Sequence, residues 1–196
     1  MARDRASRPE AKPLRLFVAT LVPGDVRLAL ADAVAPIRER YPKARWVPTE
    51  NQHVTVKFLG RTWPRLVEWV TANVAEVAAG HGPLETRLDD LGAFPNVRRA
   101  RVLWAGLEDV GSKFATIAGA LDDALSREFE PEKRAFTPHL TVARFDPPVR
   151  LEEPMASIES EPFAVDRLVL FESHLRRPAP VYEPLATFPL GSGDGG

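Results

Sequence analysis

The sequence predicts a mixed helix-and-strand protein built from two similar lobes that face each other. Short runs rich in β-branched and apolar residues alternate with longer runs at helical spacing. The tetrapeptide His53-Val54-Thr55-Val56 returns in the second half of the chain as His139-Leu140-Thr141-Val142. A strand, a helix and an extended stretch precede the first copy; two strands and a helix precede the second. Each half therefore brings one His-x-Thr strand to the fold.

The elements follow in order. Arg15–Thr20 (RLFVAT) reads as a strand. A helix follows from Pro23-Gly24-Asp25 to about Tyr41, with Asp25 where a carboxylate suits the helix dipole, and Pro36 is expected to kink or split it. His53–Gly60 is a strand. Thr62 is expected to cap a second helix with Pro64 in its first turn, ending near Ala79. Leu84–Leu91 and Arg101–Leu107 read as strands around a Pro95-Asn96 loop. A third helix spans about Val110–Phe129, with Phe114, Ile117, Ala118, Leu121 and Leu125 at helical spacing. His139–Phe145 is a strand, a short helix is expected near Leu151–Ile158, and Arg167–Ser173 and Val181–Phe188 close the fold. Residues 1–12 and 191–196 are expected to be flexible tails around one domain, 13–190.

Composition narrows the chemistry. With 196 residues the chain can bury a real core. It has no cysteine, which excludes disulfides, thiolate catalysis and sulfur-ligated metals. No apolar run is long enough to span a membrane, and no export signal is visible, so a cytoplasmic home is expected; nothing in the sequence demands more than a monomer. The net charge of −1 offers no broad basic face. Any phosphate affinity must therefore be local.

Alternate side chains share one face of a strand, so His53 and Thr55 point together, about 6–7 Å apart, with Val54 and Val56 behind them. His139 and Thr141 repeat this over Leu140 and Val142. Two imidazoles suit a reaction that activates water on one side of phosphorus and protonates a leaving oxygen on the other. Two threonine hydroxyls suit the nonbridging phosphate oxygens. Neither role needs a metal or another cofactor. Lys57 falls in phase with His53 and Thr55 and reads either as phosphate-facing or as solvated. Trp46 reads as core. Arg98, Arg99 and Arg101 form either an RNA-facing patch or a solvated loop. His81 and His174 lack a motif and read as surface residues.

Several longer stretches carry a resemblance: RLFVAT, RWVPTENQHVTVKFLG, GAFPNVRRARVLWAGL, FTPHLTVARF, VDRLVLFESHL and YEPLATFPL. Together they resemble the RNA 2′,3′-cyclic phosphodiesterase (2′-5′ RNA ligase-like) group of the two-histidine phosphoesterase superfamily, over Arg15 to Leu190. The resemblance implies a bilobal, pseudo-twofold α+β fold, with two antiparallel sheets and flanking helices around a central cleft. It implies His53 as general acid on the 3′-oxygen, His139 as general base on water, and Thr55 and Thr141 on the phosphate of an RNA end. The product would be a 2′-phosphomonoester. Arg144 matches the family arginine that follows the second motif. Strict alternation puts it opposite His139, so it needs a bulge, a strand end or a long reach. Phe17 matches a family aromatic beside the cleft, where base stacking and core packing are both open.

Three other readings remain. A zinc site lacks closely spaced ligands in the sequence. Ligation through a 2′-5′ linkage would use the same residues, with a 5′-hydroxyl in place of water. A non-catalytic RNA-binding module would be expected to carry a broad basic face.

Overall fold

A computed structural model describes residues 12–152, 158 and 160–192. Ten strands and three helices follow in order: β1 (Leu14–Leu21), α1 (Gly24–Arg40), β2 (Arg45–Trp46), β3 (His53–Thr62), α2 (Pro64–Ala79), β4 (Leu84–Thr86), β5 (Leu88–Phe94), β6 (Ala100–Leu107), α3 (Lys113–Leu125), β7 (His139–Val149), β8 (Phe163–Val165), β9 (Arg167–His174) and β10 (Val181–Pro189). The fold is α+β, as the sequence implies.

Two antiparallel halves meet in the middle. The strand order is β10-β9-β1-β3-β7-β6-β5, with β2 added beside β7. Within each half the pairing is extensive. Between the halves, β3 and β7 pair only at Val54 and Leu140. The hydrogen-bonded order is thus continuous, yet the halves separate on both sides of that pair and leave a cleft. β4 and β8 form a separate ribbon.

One face of the strands meets the helices. Leu16, Val18, Val54, Val56, Leu140 and Val142 join buried residues of all three helices in one core cluster, including Leu30, Val70, Val74, Phe114 and Leu121. α2 and α3 pack on each other and against β3, β9 and β10. On the other face Phe17, Ala19, Val169 and Phe171 make a small second cluster beside the cleft.

Several local expectations change. α1 runs unbroken through Pro36. Val26, Leu30 and Val34 are buried along its length. Thr62 does not cap α2; it is buried at the end of β3, and Trp63 stands at the N-cap with no side-chain bond. The stretch Leu84–Leu91 divides at Arg87 between the ribbon and the main sheet. The third helix begins only at Lys113, because Gly111 and Ser112 adopt left-handed backbone. β7 extends past Phe145 to Val149. The expected tails lie almost wholly, and the short helix near Leu151–Ile158 largely, outside the described residues.

Candidate active site

The Val54–Leu140 pair fixes the site. Antiparallel register sets His53 toward Thr141 and Thr55 toward His139 on either side of it. Val54 and Leu140 are fully buried on the helix side, so their four neighbours face the other way. All four line one cleft of about 1180 Å³.

Both imidazoles are held in the same manner. His53 Nδ1 lies 2.8 Å from the Asn51 carbonyl, and His139 Nδ1 lies 2.8 Å from the Thr137 carbonyl. A carbonyl only accepts, so each Nδ1 carries the proton and donates it. Nε2 is left to exchange protons in both rings. His53 Nε2 is 3.1 Å from Thr55 Oγ1. His139 Nε2 has no protein partner among the described residues.

The two sides differ in enclosure. His53 stacks on Phe17 at 4.9 Å and meets the edge of Tyr182 at 5.1 Å. Burial pushes its pKa below the ordinary value; the Asn51 carbonyl raises it, and the neighbouring His139 lowers it further. His139 is backed by Phe94 at 5.4 Å and Trp104 at 6.1 Å. Trp104 fits because Gly92 lies beneath its ring, where a Cβ would come within 2.0 Å of it.

A bulge resolves the position of Arg144. The β6–β7 register shifts between the Leu103–Ala143 and Trp104–Thr141 pairs. The extra residue reverses the alternation: Val142 and Ala143 are both buried, and Arg144 emerges on the cleft face with His139 and Thr141. β3 carries the matching shift, between Val18–Lys57 and Ala19–Thr55. This turns Phe58 into the cleft and Lys57 away from it. Lys57 is therefore not a phosphate ligand. It is 6% exposed, ion-paired with Asp122 of α3, and donates to the Glu130 carbonyl at 2.9 Å.

The cleft is strongly cationic although the chain is not. Arg15, Arg45, Arg144, Arg176 and Arg177 line it, and no carboxylate does among the described residues. None of the five has a carboxylate partner among the described residues. Arg45 and Arg144 stand directly opposite each other on β2 and β7. Like charges so placed repel, and an anion between them relieves this. Half-buried Tyr182 has its pKa raised by burial, offset in part by the Arg144 and Arg15 charges.

Other residues fall as follows. Phe17 is 4% exposed and packed among His53, Phe171 and Tyr182, so it offers no open face to a base and instead supports His53. Trp46 is half-buried, packs on the core and also lines the cleft. Arg98, Arg99 and Arg101 are exposed and lie outside the cleft lining. His81 bonds the Val77 carbonyl at the end of α2. Glu172, His174 and Glu183 cluster within 4.8 Å of one another, with ring nitrogen to Glu183 at 3.0 Å. Sequence reading missed Arg15, Arg45, Asn51, Phe58 and Tyr182. Arg15 alone had a signal, two residues before Phe17 on the same strand face.

A family model described as "2'-5' RNA ligase superfamily" matches residues 26–177. The chain belongs to this superfamily. Its RNA 2′,3′-cyclic phosphodiesterase group is represented by a Thermus thermophilus protein of that name, 30% identical over 187 residues that cover 90% of each chain. A Geobacillus stearothermophilus protein of the same name is 29% identical over 187 residues, 91% of this chain. The chain spans 58% of that relative's length. The crystal structure of TT0787 from Thermus thermophilus superposes with a TM-score of 0.79 at 28% identity, covering 92% of this chain and all of that one. In this superfamily member the fold's central cleft coincides with the two His-x-Thr strands. No described helix is long and apolar enough to cross a membrane.

Proposed function

We propose that the protein hydrolyses 2′,3′-cyclic phosphate ends of RNA to 2′-phosphomonoesters without a metal ion. One observation carries this reading: two imidazoles with Nδ1 locked by carbonyls, flanking one arginine-lined cleft. Relatives named RNA 2′,3′-cyclic phosphodiesterase supply the substrate class.

The reaction balances on these groups. His139 Nε2 takes a proton from water as its oxygen attacks phosphorus. The phosphorus–O3′ bond breaks on the opposite side, and His53 Nε2 donates its proton to O3′. The phosphate stays on O2′. Thr55 and Thr141 hydroxyls, with Arg144, hold the nonbridging oxygens as charge builds there. His139, without a described protein partner on Nε2, is suited to accept from water. His53 is enclosed and resists charging when the cleft is empty. An anionic phosphodiester against it restores the proton, so the acid is armed by its substrate.

His53→Ala and His139→Ala test the pair. Each is expected to fold and to lose about 10²–10⁴ in turnover of a cyclic-phosphate-ended RNA. A folded variant of either with near-normal rate removes that histidine from the mechanism. With an RNA 5′-hydroxyl in place of water the same ring opening, 5′-oxygen to phosphorus formed and phosphorus–O3′ broken, gives a 2′-5′ linkage on the same residues. Hydrolysis dominates in dilute solution because water is the abundant nucleophile.

A further inference from the structure

We infer that the β9–β10 hairpin tip, Leu175–Pro180, is a subsite for the RNA strand upstream of the cyclic end, with Arg176 and Arg177 on its phosphodiesters. The inference rests on the proposed reading of the site, and in particular on His53 as the acid.

In-line displacement puts the attacking and leaving oxygens on opposite sides of phosphorus. O3′ belongs to the terminal ribose. The ribose, and every nucleotide joined to it, must therefore lie on the His53 side. The hairpin tip is on that side. Asn51 donates from Nδ2 to the Pro180 carbonyl at 2.8 Å, and the Asn51 carbonyl holds His53 Nδ1 at 2.8 Å. At the hairpin's base Ser173 pairs with Tyr182, whose ring meets His53.

The tip has the chemistry of a strand-binding surface. Leu175 through Pro180 all line the cleft. Arg176 and Arg177 are exposed and lack carboxylate partners among the described residues, while Leu175 is 78% exposed and offers apolar surface to a base. The nearby acidic groups face away: Ser173 faces the cleft, so Glu172 and His174 point to the other side of β9, where Glu183 meets them. The cleft, at about 1180 Å³, also extends beyond what four catalytic side chains need. Guanidinium groups suit phosphodiester oxygens, and each strand phosphate neutralised adds to the salt dependence.

The test compares a nucleoside 2′,3′-cyclic monophosphate with a short oligoribonucleotide carrying the same terminal nucleoside, using the Arg176→Ala/Arg177→Ala double variant. The ratio of oligonucleotide to mononucleotide kcat/KM is expected to fall roughly tenfold, and the oligonucleotide's log–log salt slope to flatten by about 1.4, two strand phosphates' worth. An unchanged ratio and slope overturn the subsite. Binding of a fluorescent oligoribonucleotide ending in a 2′-phosphate provides a readout independent of turnover. Weaker binding by the variant supports the subsite even if the wild type fails to hydrolyse, an outcome that would reject the hydrolytic function alone. Equal binding rejects the subsite.

Discussion

Phe58 and Arg144 occupy the same place on their two strands, five residues after His53 and His139, each turned into the cleft by a bulge. The pseudo-twofold frame is thereby divided: one strand brings a cation and the other an aromatic ring, over which Arg15 lies at 4.6 Å. Arg144→Ala is expected to lower kcat/KM by about 30–100-fold, from loss of a charge-assisted contact in the transition state. Phe58→Ala should cost much less. Steady-state kinetics decide it, and an Arg144→Ala loss under threefold removes the arginine from the phosphate.

As the proposed general acid, His53 carries a pH signature. Its pKa in the empty cleft lies below the ordinary value of about 6.5. The acid must start protonated, so the alkaline limb of kcat/KM, which reports the free enzyme, is expected below that value. The limb of kcat should move upward, because bound phosphodiester favours the imidazolium. Coincident limbs in the two profiles would contradict substrate arming.

The same shift bears on stability. The folded protein binds fewer protons than the unfolded chain between the lowered pKa and about 6.5. Stability from this group is full above that window and falls as pH drops through it. His53→Asn should flatten the pH dependence of denaturant unfolding there; an unchanged slope would show that His53 is not the source.

Lys57 was legible in phase with His53 and Thr55, which left it either phosphate-facing or solvated on the cleft side. The bulge at Val56 reversed that, and no feature of the local sequence marks the bulge. The histidines and threonines were legible because a strand face repeats every two residues and the motif occurs twice. Arg144 was legible only with the resemblance, and its path to the cleft needed the matching bulge. Tyr182 and Arg45 reach the site through pairing distant in sequence, which alternation does not encode, while Asn51, only two residues before His53, acts through a backbone carbonyl that its residue type does not mark. Pro36 does not split α1, which continues through it with Val26, Leu30 and Val34 buried along its length.

Removing Lys57 should damage the fold and leave the chemistry. Lys57→Met strands Asp122, which also accepts from the Glu132 amide at 3.0 Å. A loss of about 3 kcal/mol is expected in chemical denaturation, with KM for a cyclic phosphate little changed. A large KM change at unaltered stability would return Lys57 to the site.

Gly92→Ala should act on His139 from behind. The added methyl collides with Trp104, whose ring packs near His139. Overpacking of about 1–3 kcal/mol is expected, together with reduced kcat. Trp104→Leu in the same background should recover part of the stability. Normal stability and kcat in Gly92→Ala would show that the ring moves freely.

The most direct measurement is turnover of a short RNA ending in a 2′,3′-cyclic phosphate, with EDTA present and the product isomer resolved. Rapid conversion to the 2′-phosphate alone is expected. A 3′-phosphate product, or activity lost to EDTA and restored by a divalent metal, would contradict the metal-free mechanism and the polarity of His53 and His139.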